Sequence, residues 1–132
     1  MSLARRSALL DQCAVLIVED NFLIAISLAE AVQDAGGTVV GPASTTTEAL
    51  SLLDQHQVRA AILDVDLADR DVEPVLSRCV AAGVAIVIHT GKQLPDHLAA
   101  RFPDIVVLTK PRIPDDVVRA LSAVIFQGVA TS

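Results

Sequence analysis

The chain has 132 residues, of which 52% are hydrophobic and 2% aromatic, and its formal net charge at pH 7 is −6. This length suits one domain with a single packed core. The acidic balance disfavours nucleic acid as the main partner, because phosphate binding needs clustered Lys and Arg, and the lack of Trp and Tyr leaves little to stack on a base. No apolar run approaches the roughly 20 residues that span a bilayer, so we expect no membrane segment and a cytoplasmic location.

Neither the chain ends nor the cysteines indicate secretion. Arg5 and Arg6 occur near the start, but the apolar part behind them is too short for a secretory signal. Cys13 and Cys79 lack CxxC spacing, which favours small core residues over a metal site or a disulfide. We expect one domain over residues 13–126, with 1–12 and 127–132 as frayed terminal extensions.

Strand-like apolar runs alternate with helix-like segments along the chain. The predicted strands cover residues 14–18, 38–41, 59–64, 84–90 and 104–109. The predicted helices cover residues 21–35, 45–55, 72–82, 96–101 and 114–126. Val/Ile/Leu strands without polar alternation are typical of a parallel sheet covered on both faces, and their alternation with helices favours a doubly wound fold. We therefore predict an α/β, flavodoxin-like (βα)5 fold whose five-stranded parallel sheet has the order 2-1-3-4-5.

The apolar spacing in the first helix predicts one inward face that ends at a glycine pair. The residues predicted to share that face are Leu23, Ile24, Leu28, Ala31, Val32 and Ala35. Ser44 or Thr45 is the predicted cap of the second helix, because a side-chain oxygen there accepts a hydrogen bond from a free helix N–H.

Polar residues follow four of the five predicted strands. They are Glu19 and Asp20 after the first, Asp64 and Asp66 at the end of the third, Thr90 at the end of the fourth and Lys110 after the fifth. In an open parallel sheet, ligands bind beyond the carboxyl ends of the strands, near the point where the strand order reverses. The sequence therefore predicts a ligand site at this edge.

Three of these carboxylates, Glu19, Asp20 and Asp64, would meet because the first and third strands are neighbours in the predicted order. Carboxylates that close repel one another unless a positive group lies among them. Mg²⁺, which takes oxygen ligands at about 2.0–2.1 Å and retains several waters, suits a shallow site that also holds a phosphoryl group. With the ammonium of Lys110 and the hydroxyl of Thr90, these residues predict a cradle for a phosphoryl group carried by Asp64.

Four short motifs carry a family resemblance. They are "LIVED", "ILDVDL", "VIHTG" and "LTKP", in that order along the chain. Together they resemble the two-component response-regulator receiver domain, over about residues 13–126. The longer string from "VIHTG" onward is partly similar to the subgroup named for a Phe-Ala-Thr-Gly-Tyr run, the FAT GUY receivers, with Thr90 and Gly91 retained.

The resemblance implies a role for each site residue. Asp64 would accept a phosphoryl group from a sensor histidine kinase or a phosphotransfer protein, and Thr90 and Lys110 would contact that group. Asp20, Asp64 and the backbone carbonyl of Asp66 would ligate Mg²⁺, and Glu19 would act through a metal-bound water. The Lys110–Pro111 bond would be cis.

The family's activity would be limited to Mg²⁺-dependent self-phosphorylation and dephosphorylation, so we expect no further enzymatic reaction. We expect a bacterial stand-alone response regulator whose phosphorylation alters a surface near the fourth helix, fifth strand and fifth helix. That surface would bind a downstream protein or form a homodimer through the same face.

Two positions depart from the family pattern. Many receivers have an aromatic residue three positions before the lysine that moves inward on activation, and Val107 at that position cannot make such a movement. Lys92 and Asp66 could meet over the phosphoryl site, and we hypothesise that their contact alters water access and the phosphoryl lifetime.

Two other functions remain as alternatives. A phosphatase of the haloacid-dehalogenase-like class also has a DxD nucleophile motif, but it needs a later acidic motif at a strand end, and Asp115–Asp116 is predicted to open a helix. A receiver fold that signals without phosphate is the second alternative.

Other polar residues have ordinary structural interpretations. Asp69, Asp71, Asp115 and Asp116 are predicted to be loop or helix-cap residues, and His56 and His97 surface residues. His89 precedes Thr90 and could tune the site.

Overall fold

Five strands and five helices alternate along residues 8–67 and 69–131, the part of the chain that the computed structural model describes. The strands are β1 Ala14–Val18, β2 Thr38–Ala43, β3 Ala60–Leu63, β4 Ala85–Thr90 and β5 Val106–Thr109. The helices are α1 Phe22–Asp34, α2 Thr46–Gln55, α3 Glu73–Ala81, α4 Asp96–Arg101 and α5 Pro114–Thr131. No helix in the described ranges is long and apolar enough to cross a membrane.

The strands form one parallel sheet in the order β2-β1-β3-β4-β5, which confirms the predicted flavodoxin-like topology. Val18 pairs with Leu63 between β1 and β3, and Thr90 pairs with Thr109 between β4 and β5. The chain direction is the same in every strand, so the residues that follow the strands meet at one edge of the sheet.

Both faces of the sheet are covered, and this explains why the strands are apolar at successive positions. Leu16 and Leu63 point to the core under α2, α3 and α4, whereas Val15 and Ile62 point to the core under α1 and α5. Successive side chains of a strand point to opposite faces, so a strand buried on both sides needs apolar residues throughout. Cys79 is buried in the first of these cores, as predicted.

Two helices begin at a residue whose side chain caps the helix. The side chain of Asn21 accepts a hydrogen bond from the Ile24 N–H at 3.1 Å and caps α1. Thr45 is the cap of α2, of the two candidates, and its hydroxyl accepts a hydrogen bond from the Glu48 N–H at 3.1 Å. These bonds satisfy amide donors that have no partner within the helix.

Three local predictions were wrong. Leu23 is 75% exposed, because it lies on the outer side of α1, and Ala25 is buried instead. α5 continues to Thr131, past the predicted end at residue 126. Leu10 is fully buried, and its N–H donates a hydrogen bond to the Ala35 carbonyl at 3.0 Å, so the predicted fraying does not apply to it.

Within the predicted terminal extensions, residues 1–7 and 132 lie outside the described residues. The other element boundaries differ from prediction by a residue or two. β2 is longer than predicted and continues to Ala43 through a cis Gly41–Pro42 bond, and Lys110–Pro111 is cis as predicted.

Candidate functional site

All the predicted site residues lie at the carboxyl edge of the sheet. Glu19 and Asp20 follow β1, Asp64 follows β3, Thr90 is the last residue of β4, and Lys110 follows β5. Glu19, Asp64 and Thr90 are buried, whereas Asp20 is exposed. The site therefore combines three buried polar side chains and one acid that faces solvent.

Three carboxylates form a compact cluster at this edge. One carboxylate oxygen each from Glu19, Asp20 and Asp64 lies within 4.8 Å of the other two. This confirms the predicted meeting of residues from β1 and β3. Hard cations such as Mg²⁺ prefer carboxylate oxygens and retain waters on their open side, so the donor set and its solvent-facing member fit such an ion.

Lys110 bridges two members of the cluster. Its Nζ lies 2.9 Å from Glu19 Oε1 and 3.1 Å from Asp64 Oδ2. Burial lowers the pKa of Lys110, but its hydrogen bonds to Glu19 and Asp64 and their negative charges outweigh that effect, so the pKa lies above the usual value. The ammonium is therefore charged and offsets part of the repulsion in the cluster.

Glu19 is the most strongly perturbed acid of the cluster. Burial raises its pKa from 4.5 to about 7, and the hydrogen bond from Lys110 only partly opposes this effect. The Asn21 N–H donates a hydrogen bond to Glu19 Oε2 at 3.1 Å. The residue that caps α1 therefore also orients this carboxylate. The sequence predicted Asn21 only as the start of a helix, and its orienting contact follows from the turn between β1 and α1.

The Asp64 side chain is held on both of its oxygens. Oδ1 accepts a hydrogen bond from the Asp66 N–H at 3.1 Å, and Oδ2 contacts Lys110. The Asp64 N–H donates to the Val18 carbonyl at 2.9 Å and continues the β1–β3 ladder to the site. The sheet and the following turn thus fix the position and the orientation of this carboxylate.

Thr90 and Lys92 shape the opposite side of the site. The Lys92 N–H donates to Thr90 Oγ1 at 3.2 Å, and the Lys110 N–H donates to the Thr90 carbonyl at 2.8 Å. The Lys92 Nζ lies 3.4 Å from Asp66 Oδ1, and both side chains are largely exposed. The predicted Asp66–Lys92 contact is therefore confirmed, and its effect on phosphoryl chemistry stays a prediction.

Two acids away from the cluster, Asp69 and Asp71, accept hydrogen bonds from backbone N–H groups. Asp69 accepts hydrogen bonds from the Thr46 and Thr47 N–H groups at 2.9 and 3.1 Å, at the start of α2. Asp71 accepts a hydrogen bond from the Glu73 N–H at 2.7 Å. Both acids therefore lie in loops and bond to backbone N–H groups near helix starts, which agrees with the predicted loop or helix-cap interpretation.

The remaining predictions of this kind concern α5 and the histidines. Asp115 and Asp116 lie in the first turn of α5, as predicted, and do not follow a strand. His56 and His97 are exposed, as predicted. His89 is 3% exposed, which the sequence did not predict.

Comparisons with known proteins agree with this fold. No family model matches the sequence. The transcriptional regulatory protein PdtaR of Mycobacterium tuberculosis is 34% identical over 74 residues, which are 56% of this chain and 36% of that protein. The chain thus spans about a third of the length of the curated relative that it matches.

Two solved structures extend the comparison over nearly the whole chain. The response regulator PhyR from Brucella abortus superposes with a TM-score of 0.77 and 28% identity, over 94% of this chain and 53% of that chain. A CheY-like response regulator receiver domain protein from Methanospirillum hungatei superposes with a TM-score of 0.81 and 19% identity, over 92% of this chain and 100% of that chain. The second likeness shows the fold alone.

The topology and these relatives define the fold of the protein. The chain has the receiver-domain fold that response regulators share. It is similar to PhyR over the receiver fold, and PhyR is about twice as long as the matched part.

Proposed function

We propose that Asp64 accepts a phosphoryl group from a phosphorylated histidine of a sensor histidine kinase or a phosphotransfer protein. The observation that carries this proposal is the Asp64 carboxylate, 3% exposed, held beside the Lys110 ammonium and two further acids at the open edge of the sheet. The relatives with response-regulator names support the same role.

The proposed step is a transfer between two protein side chains. A carboxylate oxygen of Asp64 attacks the phosphorus, the P–N bond of phosphohistidine breaks, and its electron pair returns to the imidazole nitrogen, which takes up a proton. Lys110 would move its contact from the carboxylate to a phosphoryl oxygen, and Thr90 Oγ1 would donate to another. Hydrolysis of the resulting acyl phosphate returns Asp64 and inorganic phosphate, and we propose no further enzymatic reaction.

The acidic cluster is the proposed binding site for Mg²⁺. Asp20, Asp64 and the backbone carbonyl of Asp66 would hold the ion, with Glu19 one water further out. When bound, the ion supplies positive charge that offsets the charge of the transferred phosphoryl group. The chain's own residues position Asp64, because the Asp66 N–H and Lys110 each engage one of its oxygens.

We also propose that phosphorylation signals through a protein-binding surface on α4, β5 and α5. Val107 is 37% exposed in β5, and a valine has no aromatic ring to move between buried and exposed positions. Switching would therefore depend on the Thr90 and Lys92 segment, which lies directly beside the site. The downstream partner would be a protein in the cytoplasm, or a second copy of the chain at the same face.

Intact mass spectrometry after incubation with Mg²⁺ and acetyl phosphate tests the proposal. The protein should gain one phosphoryl group, and Asp64→Asn should gain none. Asp104→Asn, which changes an exposed acid in the turn before β5, is the matched control and should be phosphorylated normally. If the folded parent protein gains nothing from acetyl phosphate or from a phosphorylated histidine donor, the proposal is wrong and a phosphate-independent receiver module is favoured.

A further inference from the structure

A cleft opens between α1 and the segment that leads from β5 into α5. Its volume is about 280 Å³. Its walls are mainly apolar and include Ile24 and Leu28 from α1 and Pro111 and Pro114 from the other side. Clefts near 300 Å³ with apolar walls and a few polar groups are typical of sites for small molecules.

His89 lines this cleft, and its ring is a buried polar group whose hydrogen bonds are unmade. The side chain is 3% exposed, and neither Nδ1 nor Nε2 has a hydrogen-bond partner among the described residues. His89 lies on β4 at the face covered by α1 and α5, next to Val87 and Leu28 in the sheet core. Both nitrogens are also closed to solvent, so a ligand would bond to the imidazole only after a small movement of the cleft wall, and that bond would satisfy a buried polar group that otherwise costs free energy.

The charges around the cleft favour an anion. Lys110 and Arg112 both line the cleft. The Lys110 charge is already shared by Glu19 and Asp64, whereas Arg112 is exposed with no ion pair in residues 8–67 and 69–131 and supplies the uncompensated positive charge. Burial lowers the pKa of His89, and the positive charge of Lys110 lowers it further, so the imidazole is neutral at pH 7. A neutral imidazole has one N–H donor and one acceptor nitrogen, and the donor suits a carboxylate oxygen.

We infer that this cleft binds a small organic acid, with the apolar body of the ligand between α1 and the β5–α5 segment and its carboxylate at His89 and Arg112. Neither Asp64 nor a phosphoryl group takes part in this binding, so the inference goes beyond the proposed function. Lys110 lines the cleft and also contacts Asp64 in the acidic cluster, so a ligand in the cleft would contact the lysine that pairs with Asp64.

Nuclear magnetic resonance of the histidine rings tests the inference on the full chain without Mg²⁺ or a phosphodonor. The probes are benzoate, phenylacetate and hexanoate, each compared with its neutral amide. We expect at least one acid to shift the His89 ring signals saturably, with no shift of the exposed His56 and His97. The matching amide should bind roughly tenfold more weakly, because it loses the charge-assisted contact.

Variants at exposed positions separate a specific site from general binding. Ser27 lies in α1 at the cleft and is exposed, so Ser27→Trp should block the cleft without disturbing the core, and Ser27→Ala should bind as the parent does. Arg112→Gln should weaken acid binding roughly tenfold. The inference is overturned if no acid shifts His89 at millimolar concentration, if the amides bind equally well, or if Ser27→Trp binds normally.

Discussion

The ammonium of Lys110 lies 3.1 Å from Asp64 Oδ2 and 2.9 Å from Glu19 Oε1, so one cation is shared by two buried carboxylates. Lys110 follows β5, whereas Asp64 and Glu19 follow β3 and β1. The contact therefore joins three strand ends across the sheet, and it places the lysine beside the carboxylate that we propose to be phosphorylated.

Replacement of Lys110 should destabilise the metal-free protein. We expect Lys110→Met to lower the free energy of unfolding by about 3 kcal/mol, because it leaves Glu19 and Asp64 buried without their cation. Urea unfolding at pH 7 measures this change, and Mg²⁺ should recover part of the loss by binding the freed carboxylates. Lys92→Met is the control and should cost less than about 1 kcal/mol, because the Lys92 ion pair is exposed. Equal losses in the two variants would contradict the prediction.

The Asp66–Lys92 contact should lengthen the phosphoryl lifetime. The two side chains meet at 3.4 Å beside Thr90, and they would limit the approach of water to an acyl phosphate on Asp64. We expect Asp66→Asn and Lys92→Ala each to increase the dephosphorylation rate severalfold, and the double variant to add little. The decay of phosphorylated protein by mass spectrometry measures the rate.

A control for that experiment breaks a different exposed ion pair. Arg78 Nη2 lies 2.7 Å from Asp54 Oδ1, between α3 and α2 and away from the sheet edge. Asp54→Asn should leave the dephosphorylation rate unchanged. If Asp66→Asn and Lys92→Ala also leave it unchanged, the contact has no such role.

Asp69 should stabilise the protein in a pH-dependent way. Hydrogen bonds from the Thr46 N–H and other groups at the start of α2 lower the pKa of Asp69 from 3.8 to about 2. A carboxyl whose pKa is lower in the folded state stabilises the fold fully above its ordinary pKa, and this contribution is lost as the pH falls through 3.8 toward 2. Asp69→Ala should therefore lower the melting temperature by a few degrees at pH 7 and have a much smaller effect near pH 2, where about half of the folded-state carboxyl is protonated. Asp104→Ala serves as the control, and a pH-independent difference would contradict the assignment.

Leu10 should be part of the folding unit. It is fully buried beside α1 and α5, so Leu10→Ala should lower the free energy of unfolding by about 2–5 kcal/mol. The neighbouring Leu9 is 48% exposed, and Leu9→Ala should change stability by no more than about 0.5 kcal/mol. Urea unfolding of both variants measures the difference. Similar small losses would mean that the segment before β1 contributes little to the core.

Much of the fold could be predicted, because the chain repeats one pattern that has few structural solutions. Strands that are apolar at every position need cover on both faces, and helices between them give parallel neighbours. The meeting of Glu19, Asp20 and Asp64 followed from that topology, and so did the placement of Thr90 and Lys110 at the same edge. Helix ends were less well predicted, as α5 shows. Gln127 and Gly128 follow the predicted last residue and favour an end there, yet the helix continues to Thr131, because one glycine weakens a helix without ending it.

The sequence by itself determined which residues follow the strands and hence which groups could share a site. The tertiary structure decided which of those groups are buried and which atoms meet. Lys110 contacts Glu19 across 91 positions and Asp64 across 46, and Leu23 is exposed while Leu10 is buried. His89 is buried without a hydrogen-bond partner among the described residues for the same reason, because α1 and α5 pack over β4. Local sequence patterns depend on neighbours along the chain, whereas burial and side-chain contacts depend on what packs opposite, and that is set only when distant segments come together.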